Sequence, residues 1–280
     1  MLPAGESMLT QPELPYSQVD FDTATAATAW IGEYRPLPSL VLINGLAGQN
    51  ESWFCNRQVW SQYFDVCAPA ILVYDGALIQ SRMAQGLPIS VEFLTDMLDS
   101  YLANFVQNPP YHLVSSSLGC QIAVEYAVRN PDRVARMVLL CPSGVAPDEK
   151  LPVSDGVRHR DFYRLVASVF HDRRCVCPGI VDYYQRQFAK KVWRKGAFRT
   201  IQDTRINSIR DKLRRLPCPT LIICGHEDRI VDPFEVAELV QGLPNLTFRL
   251  LPECGHAPQI ECATRVNDLV VQFLSAGHHA

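Results

Sequence analysis

The sequence has no long apolar run. Segments such as LIIC (221–224) and MVLLC (137–141) are far shorter than the roughly 20 residues a membrane-spanning helix needs. It has no excess of basic charge either: charged residues make up 20% and the formal net charge is −3, a balance that speaks against nucleic acid as a partner. The opening MLPAGESMLTQPELPYSQ carries neither a basic stretch followed by an apolar one nor any other mark of secretion, so residues 1–18 read as a loose arm and the expected location is cytoplasmic. Metal-binding spacing is missing as well. Cys175 and Cys177 form a C-x-C with no second pair to complete a zinc site. The other eight cysteines lie scattered, most of them in apolar segments, as small buried residues of a reducing compartment do. Internal repeats and low-complexity tracts are absent.

What is there is alternation. SLVLIN (39–44), DVCAPAILVYDG (65–76), YHLVSS (111–116), RMVLLC (136–141), TLIICG (220–225) and LTFRLL (246–251) hold short apolar runs suited to buried strands. Between them ESWFCNRQVWSQYF, ISVEFLTDMLDSYLANFV, LGCQIAVEYAVRN and ATRVNDLVVQFL carry helical spacing. Strands alternating with helices predict an α/β fold with a mostly parallel sheet. The chain is long enough for one sizeable core carrying an inserted subdomain. The rhythm breaks over residues 146–215, where no strand-like run occurs, which predicts a helical insertion flanked by core segments 1–145 and 216–280. Residues 186–215 contain eleven Lys or Arg against Asp203 and Asp211, so the remainder of the chain carries about −12. Such a surface would steer an anionic substrate or an acidic carrier protein, or serve only as a solvated helix face.

Three consecutive serines end the YHLVSSSLGC strand. A sharp strand-to-helix turn exposes one residue above the sheet, and its neighbours two before and two after must be small. Ser115 has Leu113 on one side, and Ser116 has Val114 and Leu118; only Ser117 stands between small residues, Ser115 and Gly119. A serine hydroxyl needs a base. His112 lies within the same strand, His159 and His171 in the insertion, and His278 and His279 in the tail; His226 reads as a turn residue. His256 follows an apolar strand, where α/β sheets place ligands. A carboxylate to hold its tautomer is available at Asp228, with Glu227 adjacent, while Asp232 before Pro233 has the form of a helix N-cap.

The order Ser117, Asp228, His256, together with NGLAG (44–48), SSSLGC, GHEDRIV and GHAP, resembles the α/β-hydrolase superfamily, in the branch with a helical cap inserted after the sixth strand. The resemblance covers residues 20–275. It implies a serine nucleophile rather than the aspartate of the superfamily's dehalogenases and epoxide hydrolases. It also implies a Ser117–His256–Asp228 triad, an oxyanion hole from the backbone N–H groups of Leu46 and Leu118, and no cofactor and no metal. Three features depart from the pattern. Ser115 and Cys120 occupy the outer elbow positions, Asn44 stands where a histidine is usual, and the acidic Gly-rich loop after the fourth strand is replaced by YDGALIQSR. The readings in order are hydrolysis of a carboxylic ester of a small or medium acyl group, then a thioesterase, carrier-bound acyl esterase or carbon–carbon bond hydrolase, then a ligand-binding homologue without catalysis.

Overall fold

A computed structural model of the protein describes residues 37–46, 50–145, 149, 156–157 and 159–276. Six strands form one sheet in the order β2-β1-β3-β4-β5-β6. They are β1 (Ser39–Ile43), β2 (Asp65–Cys67), β3 (Tyr111–Ser116), β4 (Val134–Leu140), β5 (Thr220–Gly225) and β6 (Leu246–Leu251), and every pairing is parallel. Around them lie α1 (Arg57–Trp60), α2 (Ala77–Ala84), α3 (Val91–Phe105), α4 (Leu118–Arg129), α5 (Phe162–Ala167), α6 (Pro178–Ala189), α7 (Lys191–Thr204), α8 (Arg210–Leu213), α9 (Pro233–Val240), α10 (Pro258–Glu261) and α11 (Ala263–Ser275).

Parallel strands need crossover connections, which place helices on both faces and bury the sheet twice over. Hence the near-continuous apolar runs. Alternation then sorts the side chains. Leu40, Leu42, Val114, Val138, Leu140, Leu221 and Ile223 pack with Trp53, Trp60 and the Val266, Val270 and Leu274 stripe of α11. Each of those three α11 side chains is fully buried, contributing about 1.5–3 kcal/mol. Val41, Ile43, Leu113, Met137, Leu139 and Ile222 lie in the other apolar cluster, with Leu94, Leu98 and Leu102 of α3 and Ile122, Ala123 and Tyr126 of α4.

Two local expectations change. The helix expected across residues 51–64 is broken into a 3-10 turn, Asn50–Trp53, and the short α1. The break falls at Asn56, fully buried, whose amide donates to Asn267 Oδ1 at 2.8 Å across the layer. Conversely, α2 forms within the stretch read as a loop, capped by Gly76 and burying Ile79 and Met83.

Between β4 and β5 the described residues hold α5 to α8 and no strand. Among the described residues the insertion follows the fourth strand; residues 1–36, including the expected arm at 1–18, lie outside them. It is tied to the rest by Lys212–Glu125 at 2.6 Å, Lys190–Asp75 at 3.5 Å and the Ile89 N–H donating to Asp203 Oδ2 at 2.7 Å. The chain leaves β1 outward to β2 and returns on the other side to β3. Their carboxyl ends therefore flank the switch point at which open α/β sheets bind ligands.

Candidate active site

Ser117 joins β3 to α4 with φ 51° and ψ −119°, a conformation costly for any side chain but glycine's. The surroundings hold it there. Its N–H donates to Leu140 O at 2.9 Å, and its carbonyl accepts from Cys120 N at 2.9 Å and Ser143 N at 3.3 Å. The small residues have physical reasons. A Cβ on Gly119 would overlap Ile43 O and lie 2.6 Å from Asn44 O, so α4 reaches the end of β1 only with glycine there. Ser115 is fully buried, its Oγ 3.4 Å from Cys120 Sγ. Serine and cysteine thus fill the outer elbow positions against each other. Ser116 is a buried strand residue.

His256 enters from the loop after β6. Its Nε2 is 2.9 Å from Ser117 Oγ and its Nδ1 is 2.8 Å from Asp228 Oδ2. Its own N–H donates to Val169 O of the insertion at 2.7 Å. Asp228 follows β5; Oδ1 accepts from the N–H groups of Ile230 at 2.8 Å and Val231 at 3.1 Å, so both carboxylate oxygens are engaged. Burial pushes the Asp228 carboxyl up, but the neighbouring His256 and these N–H donors outweigh it and hold it below the usual range. For His256, burial disfavours the cation, while the charge and hydrogen bond of Asp228 favour it and win, raising the imidazole above its ordinary value.

The two amides expected to stabilise an oxyanion lie beside this chain. Leu118 is the first residue of α4, where an N–H has no carbonyl partner within the helix. Leu46 follows Gly45, whose backbone runs so close to the elbow that a Cβ there would lie 3.0 Å from Ser117 Cβ. The remaining histidines stand elsewhere. His112 is buried edge-on to Phe64 at 5.6 Å, His226 is 3.1 Å from Glu227 Oε1, and His159 and His171 are exposed in the insertion. Asp232 caps α9, accepting from Phe234 N at 2.8 Å. His278 and His279 lie outside the described residues.

Sequence reasoning passed over several neighbours. Cys141, fully buried at the end of β4 with φ 46°, has its thiol beside the His256–Asp228 pair, and burial drives that thiol well above its ordinary value. Donor atoms of Cys141, Asp228 and His256 lie within 4.8 Å of one another. Both ring nitrogens of His256 are already used, so a metal would have to displace the hydrogen-bonded chain. Glu227 Oε2 accepts from Cys254 N at 2.9 Å and Glu261 Oε2 from Gly255 N at 2.5 Å, anchoring the histidine loop. Glu149 accepts from the Gly144 N–H, and burial pushes its carboxyl up to about 7. Buried Gln121 donates to Ser143 Oγ at 2.8 Å and accepts from Asn207 at 2.9 Å, linking α4 to the insertion. Position at the end of a strand was the available signal for Cys141; the contacts of Glu149 with Gly144 and of Glu261 with Gly255 are local, those of Glu227 and Gln121 span more of the chain, and no pattern in the sequence marks any of them.

A parallel sheet with a serine elbow, a carboxylate after β5 and a histidine after β6 defines a class, and the chain falls in it: a sequence model of the alpha/beta hydrolase family matches residues 40–269, and the chain belongs to that family. Among curated relatives, human monoacylglycerol lipase ABHD6 is 22% identical over 270 residues, covering 86% of this chain and 77% of that protein. The 2-hydroxymuconate semialdehyde hydrolase of Pseudomonas putida is 30% identical over 177 residues, covering 58% of this chain and 62% of that protein. Among solved structures, the meta-cleavage product hydrolase CumD of Pseudomonas fluorescens IP01 superposes with a TM-score of 0.72 at 22% identity, covering 85% of this chain and 90% of its own. A bacterial membrane phospholipase A superposes with a TM-score of 0.74 at 21% identity, covering 89% and 82%. No helix among the described residues is long and apolar enough to cross a membrane.

Proposed function

We propose that the protein is a serine hydrolase that cleaves a carboxylic ester of a small or medium acyl substrate through an acyl-enzyme, with Ser117 as nucleophile, His256 as base and then acid, and Asp228 orienting the imidazole. The observation that carries this is the continuous hydrogen-bonded chain, Ser117 Oγ to His256 Nε2 at 2.9 Å and His256 Nδ1 to Asp228 Oδ2 at 2.8 Å, ending on a residue in the strained elbow conformation. With the Nδ1–H donating to Asp228, Nε2 is free to take the serine proton as Oγ attacks the acyl carbon. The negative charge that develops on the acyl oxygen is met by the amides of Leu46 and Leu118. His256 returns the proton to the leaving alkoxide. Water then repeats the sequence on the acyl-enzyme, and Asp228, kept ionised, stabilises the transient imidazolium. No step calls for a cofactor. The helical insertion over residues 146–215 serves as the lid, touching the base directly through Val169.

A second reading, hydrolysis of an acyl-like carbon–carbon bond, is favoured by the 30% identity to a hydrolase whose name specifies such a substrate. A thioester substrate, or a carrier-bound acyl group held at the basic insertion, has no support in the comparisons. p-Nitrophenyl esters of increasing chain length, assayed beside acyl-thioesters and a vinylogous diketone, test the assignment. Turnover of the esters is expected to exceed that of the diketone. Diketone cleavage with silent esters would replace the first reading by the second.

A further inference from the structure

Three consecutive main-chain N–H groups carry His256 into place, and each is held by a different part of the molecule. Cys254 N donates to Glu227 Oε2 at 2.9 Å, Gly255 N to Glu261 Oε2 at 2.5 Å and His256 N to Val169 O at 2.7 Å. Glu227 belongs to the turn that carries Asp228, and its own N–H returns a bond to Cys254 O at 2.9 Å. Glu261 ends α10, so its bond to Gly255 closes a small loop with the histidine inside it. Its second oxygen is also used: Glu261 Oε1 accepts from the N–H of Asp172, in the insertion, at 2.5 Å.

The stretch of the insertion that meets this loop is docked by its main chain and by one buried side chain. Phe170 is 3% exposed and belongs to the apolar cluster that also holds Ala257. A Cβ on Gly255 would lie 2.7 Å from both His171 N and Val169 O and 3.0 Å from Phe170 C, so the two backbones touch and only glycine lets them. Around α6 and α7 the insertion is attached through side chains, Lys212 to Glu125 and Lys190 to Asp75. Residues 169–172 are attached through the same groups that place the histidine.

We propose that Glu261 is a positioning residue whose carboxylate makes the docked insertion part of the seat of His256: one oxygen fixes the loop, the other fixes residues 169–172, and full turnover needs both. The effect on turnover rests on the role given to His256 above; the two hydrogen bonds do not. His256 has to aim Nε2 at Ser117 Oγ and Nδ1 at Asp228 Oδ2 at once. It is 7% exposed, so its ring follows its backbone. Val169 O holds that backbone only as firmly as residues 169–172 are themselves held, and the carboxylate ties them to the loop. A carboxylate suits the task because it accepts on both oxygens, and a bond to a charged acceptor is about twice as strong as a neutral one. An amide of the same size cannot replace it. Whichever way it lies, its NH₂ faces one of the two N–H donors. A displacement of about 1 Å in a reacting group costs on the order of a hundredfold in rate.

The experiment compares Glu261→Gln and Asp172→Pro with the parent, all as full-length protein. Proline removes the donor on the insertion's side, at a φ of −87° close to the ring's own, and leaves Glu261 bonded to Gly255. Arg174→Ala is the control: it frees the Asp172 carboxylate from an exposed ion pair at 2.7 Å and leaves the N–H in place. The readouts are kcat and KM for a p-nitrophenyl ester, the rate of fluorophosphonate labelling of Ser117, and the far-downfield proton resonance that marks an imidazole N–H bonded to a carboxylate. Both test variants should lower kcat and labelling by about tenfold or more, keep KM within about threefold, and weaken or shift the resonance. Arg174→Ala should stay within about twofold of the parent. Thermal unfolding separates loss of fold from loss of placement, and should one variant fail to fold, the other carries the test. A raised KM with kcat intact would mean that Glu261 shapes substrate binding, and overturns the proposal. So would a lowered kcat with the parental resonance, or a folded Asp172→Pro protein that matches the parent. A parent that shows the resonance but neither turns over esters nor takes the label would instead refute the role given to His256, while the response of the resonance to the two substitutions still reports on its seat.

Discussion

The histidine site and the helical insertion are held by different forces. At the site each functional side chain is placed by buried backbone groups: Ser117 by Leu140 O, Asp228 by the Ile230 and Val231 N–H groups, and His256 by Val169 O. In the insertion the same task falls to long, partly exposed charges. Lys212 reaches Glu125 and Lys190 reaches Asp75, while Arg199 holds Asp203, which in turn accepts from Ile89 N. A backbone donor inside a sheet has almost nowhere else to go. A half-exposed ion pair contributes only about 0.2–1 kcal/mol and yields to salt. The basic excess that stands out in the sequence is therefore partly consumed: Arg210 also ties the insertion to the carbonyl of Val145, and Arg194 donates to that of Phe188 within the insertion. Rigid chemistry beneath an adjustable cover is the division this implies.

The comparison breaks most sharply at the nucleophile. Ser117→Ala should lower turnover by roughly 10⁴-fold or more with the fold intact, since the hydrogen bonds that hold the elbow use its backbone and its hydroxyl is paired with His256. Peptide mapping of a fluorophosphonate adduct should find it on Ser117; an adduct on Ser116 would sink the assignment. Asp228→Asn should cost about 10⁴-fold, and it also moves the pH profile. The base must be neutral, and His256 titrates above its ordinary 6.5, so the acid limb of turnover should lie above that pH. Removing the Asp228 charge removes what favours the imidazolium, and the limb should shift to lower pH. A limb that stays in place would show that Asp228 does not set the base. Gly119→Ala tests the scaffold rather than the chemistry. Its Cβ meets main-chain carbonyls that cannot turn aside, so thermal unfolding should report a loss of about 1–3 kcal/mol.

The two regions also differed in how legible they were. The elbow could be read because its rule is local. The chain must pass from β3 into α4 in one residue, and only Ser117 has neighbours small enough, which the packing of Ser115 on Cys120 and of Gly119 on β1 explains. The edge strands β2 and β6 are only partly buried, but the central strands β1, β3, β4 and β5 were legible because they are largely buried on both faces and mostly apolar. The break at Asn56 was not, since its cause is an amide pair with Asn267, more than two hundred residues away. Nor was α2, whose stability comes from burying Ile79 and Met83 rather than from a strong amphipathic pattern. Cys141 escaped for a related reason, since it meets the His256 loop across the fold, whereas Glu261 closes that loop locally, on Gly255, without a sequence pattern that marks it.

The smallest expected effect concerns the insertion's charge. At 0.1 M salt the screening length is about 10 Å, so steering by exposed lysines and arginines would fade over the range from low to moderate ionic strength. The basic side chains divide into those tied to acids or carbonyls and those, such as Lys191, Lys195 and Arg205, exposed along one side of α7 and at its end. A neutral ester has no charge for them to attract. Its rate constant at low substrate should accordingly stay within about twofold as salt rises, whereas an ester bearing a carboxylate should slow steeply if it enters past that face. Equal, flat profiles for both substrates would leave the insertion as a solvated cover. A steep fall for the neutral ester would mean that salt loosens the Lys212–Glu125 and Lys190–Asp75 attachments themselves, and that the cover, not the approach of substrate, is what the charges control.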